Sequence, residues 1–386
     1  MTEYDLKYPS TPANHTFRLL ELPPELCQLI ESSVGSSLNL TIKGGPDDDA
    51  VLCTADKTYN IRSVVLSNSV LVVSPLADPG SGMDVDGGTG HVFIQDSLNE
   101  ILELQPAVPK LHRLRVLLRG LEWEEGHEDD EEDTNGGDGK RRRYTYEQAK
   151  SDMQASEQEL EDAIKAKHIL VMDGALRPIA PSYLHTILEL LLTYLVSLSQ
   201  PHQSASVAEL AGALEGEHEI RRDVVGQVMR WFGSVEGEGR RERWQMDVAA
   251  VVRQVGLGIL RHYKDEPISE VEFLRKWRTA VGDTFESEVA LPMLSGNYLI
   301  SPAPITTSLT SDPGVVLTYF PRSALPTDPS TRFTDLFLTR ARWKAADISP
   351  FLDDIAVSVK ERDKLLLKYA RALTDAEGVW YTARAR

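Results

Sequence analysis

Basic residues recur at helical spacing near the end of the chain. In ERDKLLLKYARAL, Lys364, Lys368 and Arg371 lie four and three residues apart, so the spacing predicts that they share one helix face. Lys and Arg on such a face bind the phosphate backbone of nucleic acid without choosing a sequence. We therefore predict weak, salt-sensitive and non-specific contact with single- or double-stranded DNA.

Charge is unevenly distributed along the chain. The whole chain carries 41 Lys and Arg against 59 Asp and Glu, a net charge of −18, whereas residues 331–386 carry 11 against 8, a net charge of +3. A solvated face with internal ion pairs is the alternative, because Glu361 and Asp363 lie beside the basic residues. The candidate DNA-binding residues are Arg342, Lys344, Lys364, Lys368, Arg371, Arg384 and Arg386.

Motifs for catalysis and metal binding are missing from the sequence. GGDGKRRR has neither the spacing nor the hydroxyl of a phosphate-binding loop, and no GxSxG, HExxH or CxxC motif occurs. Asp47 to Asp49 lack calcium-loop spacing and are interpreted as a turn before a strand. We therefore predict that the protein is not an enzyme and holds no cofactor or metal. Seven histidines are isolated from ligand partners and are expected to be surface or half-buried residues: His112, His127, His168, His185, His202, His218 and His262.

The cysteines and the apolar segments bear on the compartment. Cys27 and Cys53, the two cysteines of the chain, lie in apolar surroundings, which favours a reducing, cytosolic or nuclear environment. The N-terminus is acidic where a secretion signal would be basic. The longest apolar run, 187–198, contains Glu189 and is shorter than the roughly 20 residues that cross a bilayer. We expect no membrane segment.

The first part of the chain is predicted to be a β-rich module, residues 1–94. A helix over PPELCQLIES opens it, and short apolar stretches then alternate with turn residues. Tight turns are predicted at 55–57 and at the SNS segment 67–69, and the Gly/Asp-rich segment 78–90 is predicted to be a loop. After Gln95 the apolar spacing becomes helical, which predicts helices from there to the end.

The next element is predicted to be an amphipathic helix over 108–123, with Leu111, Leu114, Leu118 and Leu121 on one stripe. The segment 124–143 turns from acidic to basic and is interpreted as a solvated linker. Its residues Lys140 to Arg143 are either an exposed charge run or a nuclear-import signal.

A helix, helix, hairpin pattern then begins. Thr145 with Gln148 and Ser156 with Glu159 predict two capped helices, and Asp173-Gly174 predicts a tight hairpin. This order is typical of a winged helix, and it returns twice along the chain. We therefore predict an α+β fold, a β-rich module followed by tandem winged-helix domains. The predicted domain limits are 95–200 with the insertion 124–143, 201–326 and 327–386.

Three smaller features complete the pattern. The helix SEQELEDAIKAK carries four acidic residues and suits a protein partner better than DNA. Arg240, Arg241 and Arg243 are expected in a loop between helices, as a solvated run or a contact. Trp343 and Trp380 are expected to pack in the core of the last domain.

Segments near both ends of the chain resemble a known family. FRLLELPPELCQLIE followed by LTIKG and DDDAVLCTADKTYNIRSVVLSNSVLVV, together with FTDLFLTRARWKAADISPFLDDI, KLLLKYAR and YTARAR, closely resemble the family called defective in sister chromatid cohesion. Segment 124–143 departs from it as an insertion. The resemblance implies a non-catalytic, nuclear subunit of the alternative replication factor C-like clamp loader, which acts on the sliding clamp at replication forks.

The same resemblance implies particular partners. The N-terminal module would form a joint β-barrel with the small and large chromosome transmission fidelity subunits, and the winged helices would bind the catalytic subunit of DNA polymerase epsilon and DNA. From the residues alone, a self-contained β-sandwich is as compatible as a shared barrel. A winged-helix transcription regulator is the alternative function, although the acidic first helix argues against it. An enzyme in the β module is a third alternative, and the missing catalytic motifs argue against it.

Overall fold

The structure, a computed structural model, divides into two compact units. The first comprises residues 1–109 together with 154–159, and the second comprises 110–153 together with 160–386. The described residues are 4–8, 16–33, 38–46, 48–75, 90–124, 126, 143–302, 314–376 and 378–384. Nearly all of the predicted loop 78–90, most of the segment 124–143 with Lys140, and Arg386 lie outside them. The predicted domain limits stay predictions.

The first unit is a six-stranded sheet with one helix. Its elements are β1 (Tyr4–Lys7), β2 (Leu19–Glu21), α1 (Pro24–Ser32), β3 (Thr41–Lys43), β4 (Val51–Cys53), β5 (Thr58–Pro75) and β6 (Gly90–Pro106). The strand order is β1-β6-β5-β4-β3, and β2 also pairs with β6. Strands β5 and β6 are antiparallel over most of their length and form a long ribbon, whereas β1 and β2 run parallel to β6.

The predicted opening helix is confirmed. Pro24 occupies the first turn of α1, where its missing N–H costs no helical hydrogen bond. The helix buries Leu26, which packs with Leu52, Tyr59 and Leu104 of the sheet. This small cluster is the core of the first unit, and it lies at the end of the ribbon where β5 begins.

One predicted turn is confirmed and the other is wrong. The amide of Thr54 donates to the carbonyl of Lys57 at 2.9 Å and closes the hairpin between β4 and β5. The SNS segment 67–69, however, is part of β5. Val65 pairs with Glu100 and Val70 with Leu98, so residues 66–69 face Asn99 alone and form a large bulge. The polar segment interrupts the pairing, and the strand then resumes.

Helices do not begin at Gln95, because β6 continues to Pro106. The predicted limit after residue 94 therefore falls inside a strand. Leu98, Ile101 and Leu102 have helical spacing, but each pairs with a residue of β5. Pairing between distant segments has overridden the local pattern.

The helix predicted over 108–123 is also shorter than expected. Only α2 (Arg113–Leu117) is α-helical, and the chain turns at Gly120, whose φ of 78° lies in the left-handed region that favours glycine. Leu114 and Leu118 are buried, as the predicted stripe requires.

The second unit contains the remaining elements. They are α3 (Tyr146–Asp152), α4 (Glu157–Ala166), β7 (Ile169–Met172), β8 (Ala175–Pro178), α5 (Pro181–Ser197), β9 (Ala205–Ser206), α6 (Val207–His218), α7 (Arg222–Trp231), β10 (Gly233–Glu236), β11 (Arg243–Met246), α8 (Val248–Leu260), β12 (Ile268–Ser269), α9 (Glu270–Val281), β13 (Tyr298–Pro302), β14 (Val315–Tyr319), α10 (Pro329–Thr339), β15 (Arg342–Lys344), α11 (Ala345–Ile348), α12 (Val359–Tyr369), β16 (Ala370–Asp375) and β17 (Gly378–Ala383). The first turn of α4 belongs to the first unit.

Short sheets alternate with these helices. Strands β7 and β8 form a two-stranded sheet, to which Thr145 adds an isolated bridge at Ala175, and the three-stranded sheets have the orders β10-β11-β9, β12-β14-β13 and β15-β17-β16. The predicted hairpin at Asp173-Gly174 is confirmed, with φ of 50° and 76° at the two residues. The capping box of Thr145 with Gln148 is confirmed as well.

Helix α5 is the apolar run noted in the sequence, and it is buried. Leu184, Ile187, Leu188 and Leu191 of this helix join the main core of the second unit. None of the helices among the described residues is long and apolar enough to span a membrane.

Helix α8 packs closely against its neighbours at two glycines. A Cβ atom on Gly256 would lie 2.3 Å from the ring of Trp277, and one on Gly258 would lie 2.4 Å from the ring of His185. Trp277 is fully buried, and its Nε1 donates to the carbonyl of Val252 at 2.8 Å. The ring therefore has no room to move, and only glycine fits beneath it.

We predict that Gly256→Ala lowers the free energy of unfolding by about 1–3 kcal/mol, because the new methyl group overpacks a rigid core. Gly216→Ala in α6 is the matched control, since a Cβ atom on Gly216 would have no neighbour within 4 Å. The control should gain up to about 1 kcal/mol from helix propensity. Urea unfolding followed by tryptophan fluorescence measures both, and equal stability of the two variants would contradict the packing argument.

Candidate functional site

The outer edge of β5 is open along most of its length. Strand β4 pairs only with Thr58, Tyr59 and Asn60, and the amide of Ile61 makes the last cross-strand bond on this side, to the carbonyl of Ala50. From residue 62 to residue 75, no described strand pairs with this edge, while β6 occupies the other. Unpaired N–H and C=O groups in an extended row can accept a further strand.

Along residues 62–75 of β5 and the facing part of β6, the described residues bury almost no side chains. Beyond Thr58 and Tyr59, no described side chain of β5 is buried, and Ile94 is the one buried side chain of β6 between residues 92 and 103. Val65 and Val70, whose partners Glu100 and Leu98 lie on one side of the ribbon, are 80% and 38% exposed, and Leu71 and Val73 are more than 40% exposed on the other side. Adjacent exposed apolar side chains on a sheet mark a surface that another chain covers.

A buried polar network fixes the other end of the ribbon. The hydroxyl of Thr58 donates to the carboxylate of Glu159 at 2.5 Å and accepts from the amide of Ser156 at 2.9 Å. The Glu159 carboxylate also accepts from the amide of Ser156, and the Ser156 hydroxyl accepts from the amide of Glu159. This reciprocal pair confirms the predicted capping box. Thr58 and Ser156 are almost fully buried. All these residues belong to the first unit.

Neighbouring groups extend this network. The side-chain amide of Gln154 donates to the carbonyl of Asp49 at 2.6 Å, and the ammonium group of Lys43 donates to the carbonyl of Ala155 at 2.8 Å. The thiol of Cys53 lies 3.7 Å from the Thr58 hydroxyl, and burial raises the pKa of this thiol. A raised pKa keeps the thiol protonated, so the role of Cys53 is packing rather than reactivity.

The last sheet presents a basic face. Cross-strand partners lie on one side of a sheet, and Arg342 pairs with Thr382, which pairs with Arg371. Lys344 likewise pairs with Trp380, which pairs with Leu373. The register thus gathers three predicted DNA-binding residues on one face: Arg342, Lys344 and Arg371. The opposite face carries Trp343 and Tyr381, which pack in the core.

The two tryptophans of this sheet differ. Trp343 is fully buried, as predicted, and its Nε1 donates to the carbonyl of Leu336 at 3.0 Å. Trp380 is half-buried on the basic face, so its predicted core position is wrong. The guanidinium carbon of Arg342 lies 4.0 Å from the centre of the Trp380 ring, and the Lys344 ammonium lies 5.0 Å from it.

The predicted helix stripe is partly wrong. Lys364 and Lys368 are exposed on α12, but the helix ends at Tyr369 and Arg371 lies on β16. Lys360, which the sequence analysis left out of the site, lies four residues before Lys364 on the same face and is exposed. The spacing alone could have identified Lys360.

Arg384 closes the C-terminal end of α12. Its guanidinium donates to the carbonyls of Leu367 and Lys368 at 3.1 and 3.3 Å. These carbonyls have no partner within the helix, so a cation there is favourable. Arg386, the last predicted DNA-binding residue, lies outside the described residues.

The carboxylates of this segment mostly pair with arginines, of which Arg342 alone is a predicted DNA-binding residue. The ion pairs are Arg332 with Asp354, Arg340 with Asp347, Arg342 with Asp375, and Arg362 with Asp353. Glu361 accepts from the amide of Val357 before the start of α12, and its own amide donates to Ser358. Within the described part of the chain, no carboxylate lies at ion-pair distance from Lys364 or Lys368. The helix lysines therefore remain available to a polyanion.

Two other charged clusters were noted in the sequence, one basic and one acidic. Arg240 and Arg241 lie in a short turn between β10 and β11, and Arg243 is on β11, so this cluster caps a hairpin rather than linking helices. On α4, three acidic residues are exposed, whereas Glu159 is used in the network with Thr58. The exposed set is Glu157, Glu161 and Asp162.

Metal-binding clusters of His, Cys, Asp and Glu do not occur among the described residues. His168 packs against the rings of Trp231 and Phe232 at 5.4 and 5.2 Å. Burial lowers the pKa of His168 to about 4, and Arg261 and Arg253 contribute to lowering this pKa. His168 is therefore an uncharged packing residue at neutral pH.

Comparison with known proteins identifies the family. The family model described as Sister chromatid cohesion protein Dcc1 matches residues 17–352. The chain belongs to this Dcc1 family. Membership implies a role in sister chromatid cohesion, and it confirms the resemblance seen in the sequence. The match spans the open edge of β5, whereas α12, β16 and β17 lie beyond it.

Individual relatives agree with this assignment. The chain is similar to Sister chromatid cohesion protein DCC1 of Homo sapiens, with 26% identity over 362 residues, 92% of this chain and 85% of the human protein. It is 28% identical to the Xenopus laevis protein of the same name over 377 residues, 96% of this chain and 90% of that protein. The Saccharomyces cerevisiae protein of that name is 27% identical over 209 residues, 52% of each chain.

We predict that Thr58→Val lowers the free energy of unfolding of the first unit by about 1–3 kcal/mol, because the half-buried Glu159 carboxylate and the Ser156 amide both lose a partner. Thr334→Val is the matched control, since its hydroxyl bonds only to an exposed helix carbonyl, that of Ser330. Hydrogen exchange of the β4 and β5 amides measures the local loss. Unchanged protection in Thr58→Val would show that the network is dispensable.

Proposed function

We propose that this chain is a non-catalytic scaffold and recruitment subunit of the alternative replication factor C-like clamp loader. In this role it works in the nucleus, in DNA replication and sister chromatid cohesion, and reaches the sliding clamp only through other subunits. The open outer edge of β5 carries the proposal, because a subunit whose sheet is unfinished is suited to assembly with other chains.

The occupants of that edge are the small chromosome transmission fidelity subunit and the C-terminal tail of the large one. Their strands extend the sheet beyond residue 62 and close it into a joint β-barrel. Two observations support this: the unpaired edge of β5 and the exposed Val65 and Val70 on one side of the ribbon. Strand addition supplies main-chain hydrogen bonds, and the apolar side chains then gain a core.

The second unit consists of tandem winged helices. The order α3, α4, β7, β8 supports this for the first domain, and α6, α7, β10, β11 repeats the order in the second. In the last domain, α10, α11 and α12 precede the pair β16 and β17. Each domain thus places a hairpin directly after its helices, which is the wing position.

The last domain contacts DNA through its basic residues, without sequence preference. Lys364 and Lys368 on α12 and Arg371 on β16 are exposed, and cations of this kind bind the phosphate backbone.

The first winged helix binds the catalytic subunit of DNA polymerase epsilon. The acidic, exposed side of α4 supports this, because it repels DNA and suits a basic protein surface.

We predict that the double variant Val65→Lys with Val70→Lys loses the three-chain particle, because both side chains lie on one side of the ribbon and lysine ammonium groups cannot enter a barrel core there. The full chain is co-expressed with the small subunit and the tail of the large subunit, and light scattering measures the mass. The double variant Val196→Lys with Leu338→Lys changes two exposed apolar residues elsewhere and should assemble normally. Hydrogen exchange should show new protection along residues 62–75 only in the assembled wild type.

Normal assembly of the Val65 and Val70 variant would show that these side chains are not part of the interface. A well-folded lone chain that ignores both partner chains would overturn the clamp-loader role, and an independent DNA-binding regulator would then be the alternative.

We predict that Lys364→Ala with Lys368→Ala weakens binding to duplex DNA by about tenfold. The slope of log K against log salt concentration should become about 1–2 less steep, because binding releases about one counterion fewer for each phosphate contact that is lost. Lys165→Ala with Lys264→Ala is the control, since both lysines are exposed on other elements. Fluorescence anisotropy over a salt series measures the slopes. Identical slopes for the two variants would place the DNA contact elsewhere.

A further inference from the structure

Trp380 occupies the centre of the basic sheet face. It lies on β17, the middle strand, between Lys344 on one neighbouring strand and Leu373 on the other. Trp343, one strand away, points to the opposite side and is fully buried. The core of this domain is thus completed by Trp343, and packing does not explain an indole ring on the outer face.

The ring of Trp380 is held in one orientation. Its Nε1 donates to Oδ1 of Asp375 at 3.0 Å, and Oδ2 of the same carboxylate accepts from the guanidinium of Arg342. That guanidinium lies over the ring, with its carbon 4.0 Å from the ring centre. Asp375 therefore fixes both members of a cation–π stack, so little conformational freedom would be lost when a ligand stacks against it.

Charge around the ring favours an anionic ligand. Arg342, Lys344 and Arg371 lie on the same face, and Asp375, the one described carboxylate of the three strands, is already engaged by Arg342 and Trp380. Leu373 is 39% exposed beside the ring, which adds an apolar contact. A flat aromatic surface, an adjacent apolar side chain and surrounding cations are together the features that bind unpaired bases and their phosphates.

We propose that this face binds single-stranded DNA, with a base stacked on the cation–π pair of Arg342 and Trp380 and its flanking phosphates held by Lys344 and Arg371. The proposal rests on the DNA contact of the proposed function and specifies its ligand. Bases in a duplex are already stacked on one another, so a ring lying on a sheet cannot reach their faces. Helix α12, by contrast, offers only point charges, which serve single and double strands alike.

The test uses the full chain and two probes, a fluorescein-labelled oligothymidine strand and the duplex that it forms with oligoadenine. Anisotropy titrations give the affinity of each variant for each probe. Trp380→Ala should weaken single-strand binding on the order of tenfold and duplex binding less than about twofold, because only the unpaired base uses the ring. Trp380→Phe should recover most of the single-strand affinity, since phenylalanine keeps an aromatic face.

Two further measurements make the result specific to stacking. Arg342→Lys keeps the charge but loses the planar guanidinium, and it should also weaken binding to the single strand more than binding to the duplex. Tryptophan fluorescence of the wild type should fall when the single strand is added, and this change should be smaller in Trp380→Phe. Thermal unfolding of each variant checks that the last domain is folded.

The outcomes separate this inference from the DNA contact itself. Equal losses for both probes in Trp380→Ala and Trp380→Phe would assign Trp380 a structural role and overturn the inference. Unchanged binding in Trp380→Ala, with weaker binding in the Lys364 and Lys368 variant, would overturn stacking and leave the DNA contact standing. No binding of either probe by the wild type would overturn both.

Discussion

The buried hydroxyl of Thr58 is the constraint on which the first unit depends. This one group lies at the start of the long ribbon and satisfies both the Glu159 carboxylate and the Ser156 amide. A carboxylate that is withdrawn from water is costly unless its oxygens are hydrogen-bonded. Because Thr58 also pairs with Cys53 in the hairpin, the hydrogen-bonding requirement of Glu159 fixes where β5 begins. Among the described residues, the far end of the ribbon has no such buried network, and Ile94 is its one buried side chain.

Local signals in the sequence predicted local structure well. The capping pairs at Thr145 and Ser156 and the Asp173-Gly174 hairpin were identified because each depends on residues at most three positions apart. The length of β6 and the bulge at 67–69 were not, because both follow from pairing between β5 and β6 across an intervening segment. The spacing of apolar residues after Gln95 matches a helix, and local spacing carries no information about pairing with a distant strand.

The same distinction applies to the basic surface. Lys364 and Lys368 share a helix face because of spacing alone, and the sequence identified them. Arg342, Lys344, Arg371 and Trp380 share a sheet face because of the register among three strands. Period-two alternation in VWYTARAR places Trp380, Thr382 and Arg384 opposite Tyr381, and this pattern was the available signal for the orientation of Trp380. The identity of its neighbours required the fold.

The bulge at residues 66–69 has a consequence for solubility. A long, regular and apolar strand edge would template its own copies and grow into fibrils. Here four residues of β5 face Asn99 alone, and a second register shift lies between Val72 and Val73, so the ladder is divided into three short stretches. A second copy of β5 cannot run along the whole edge in one register. The bulge therefore disfavours self-templated growth along the whole edge.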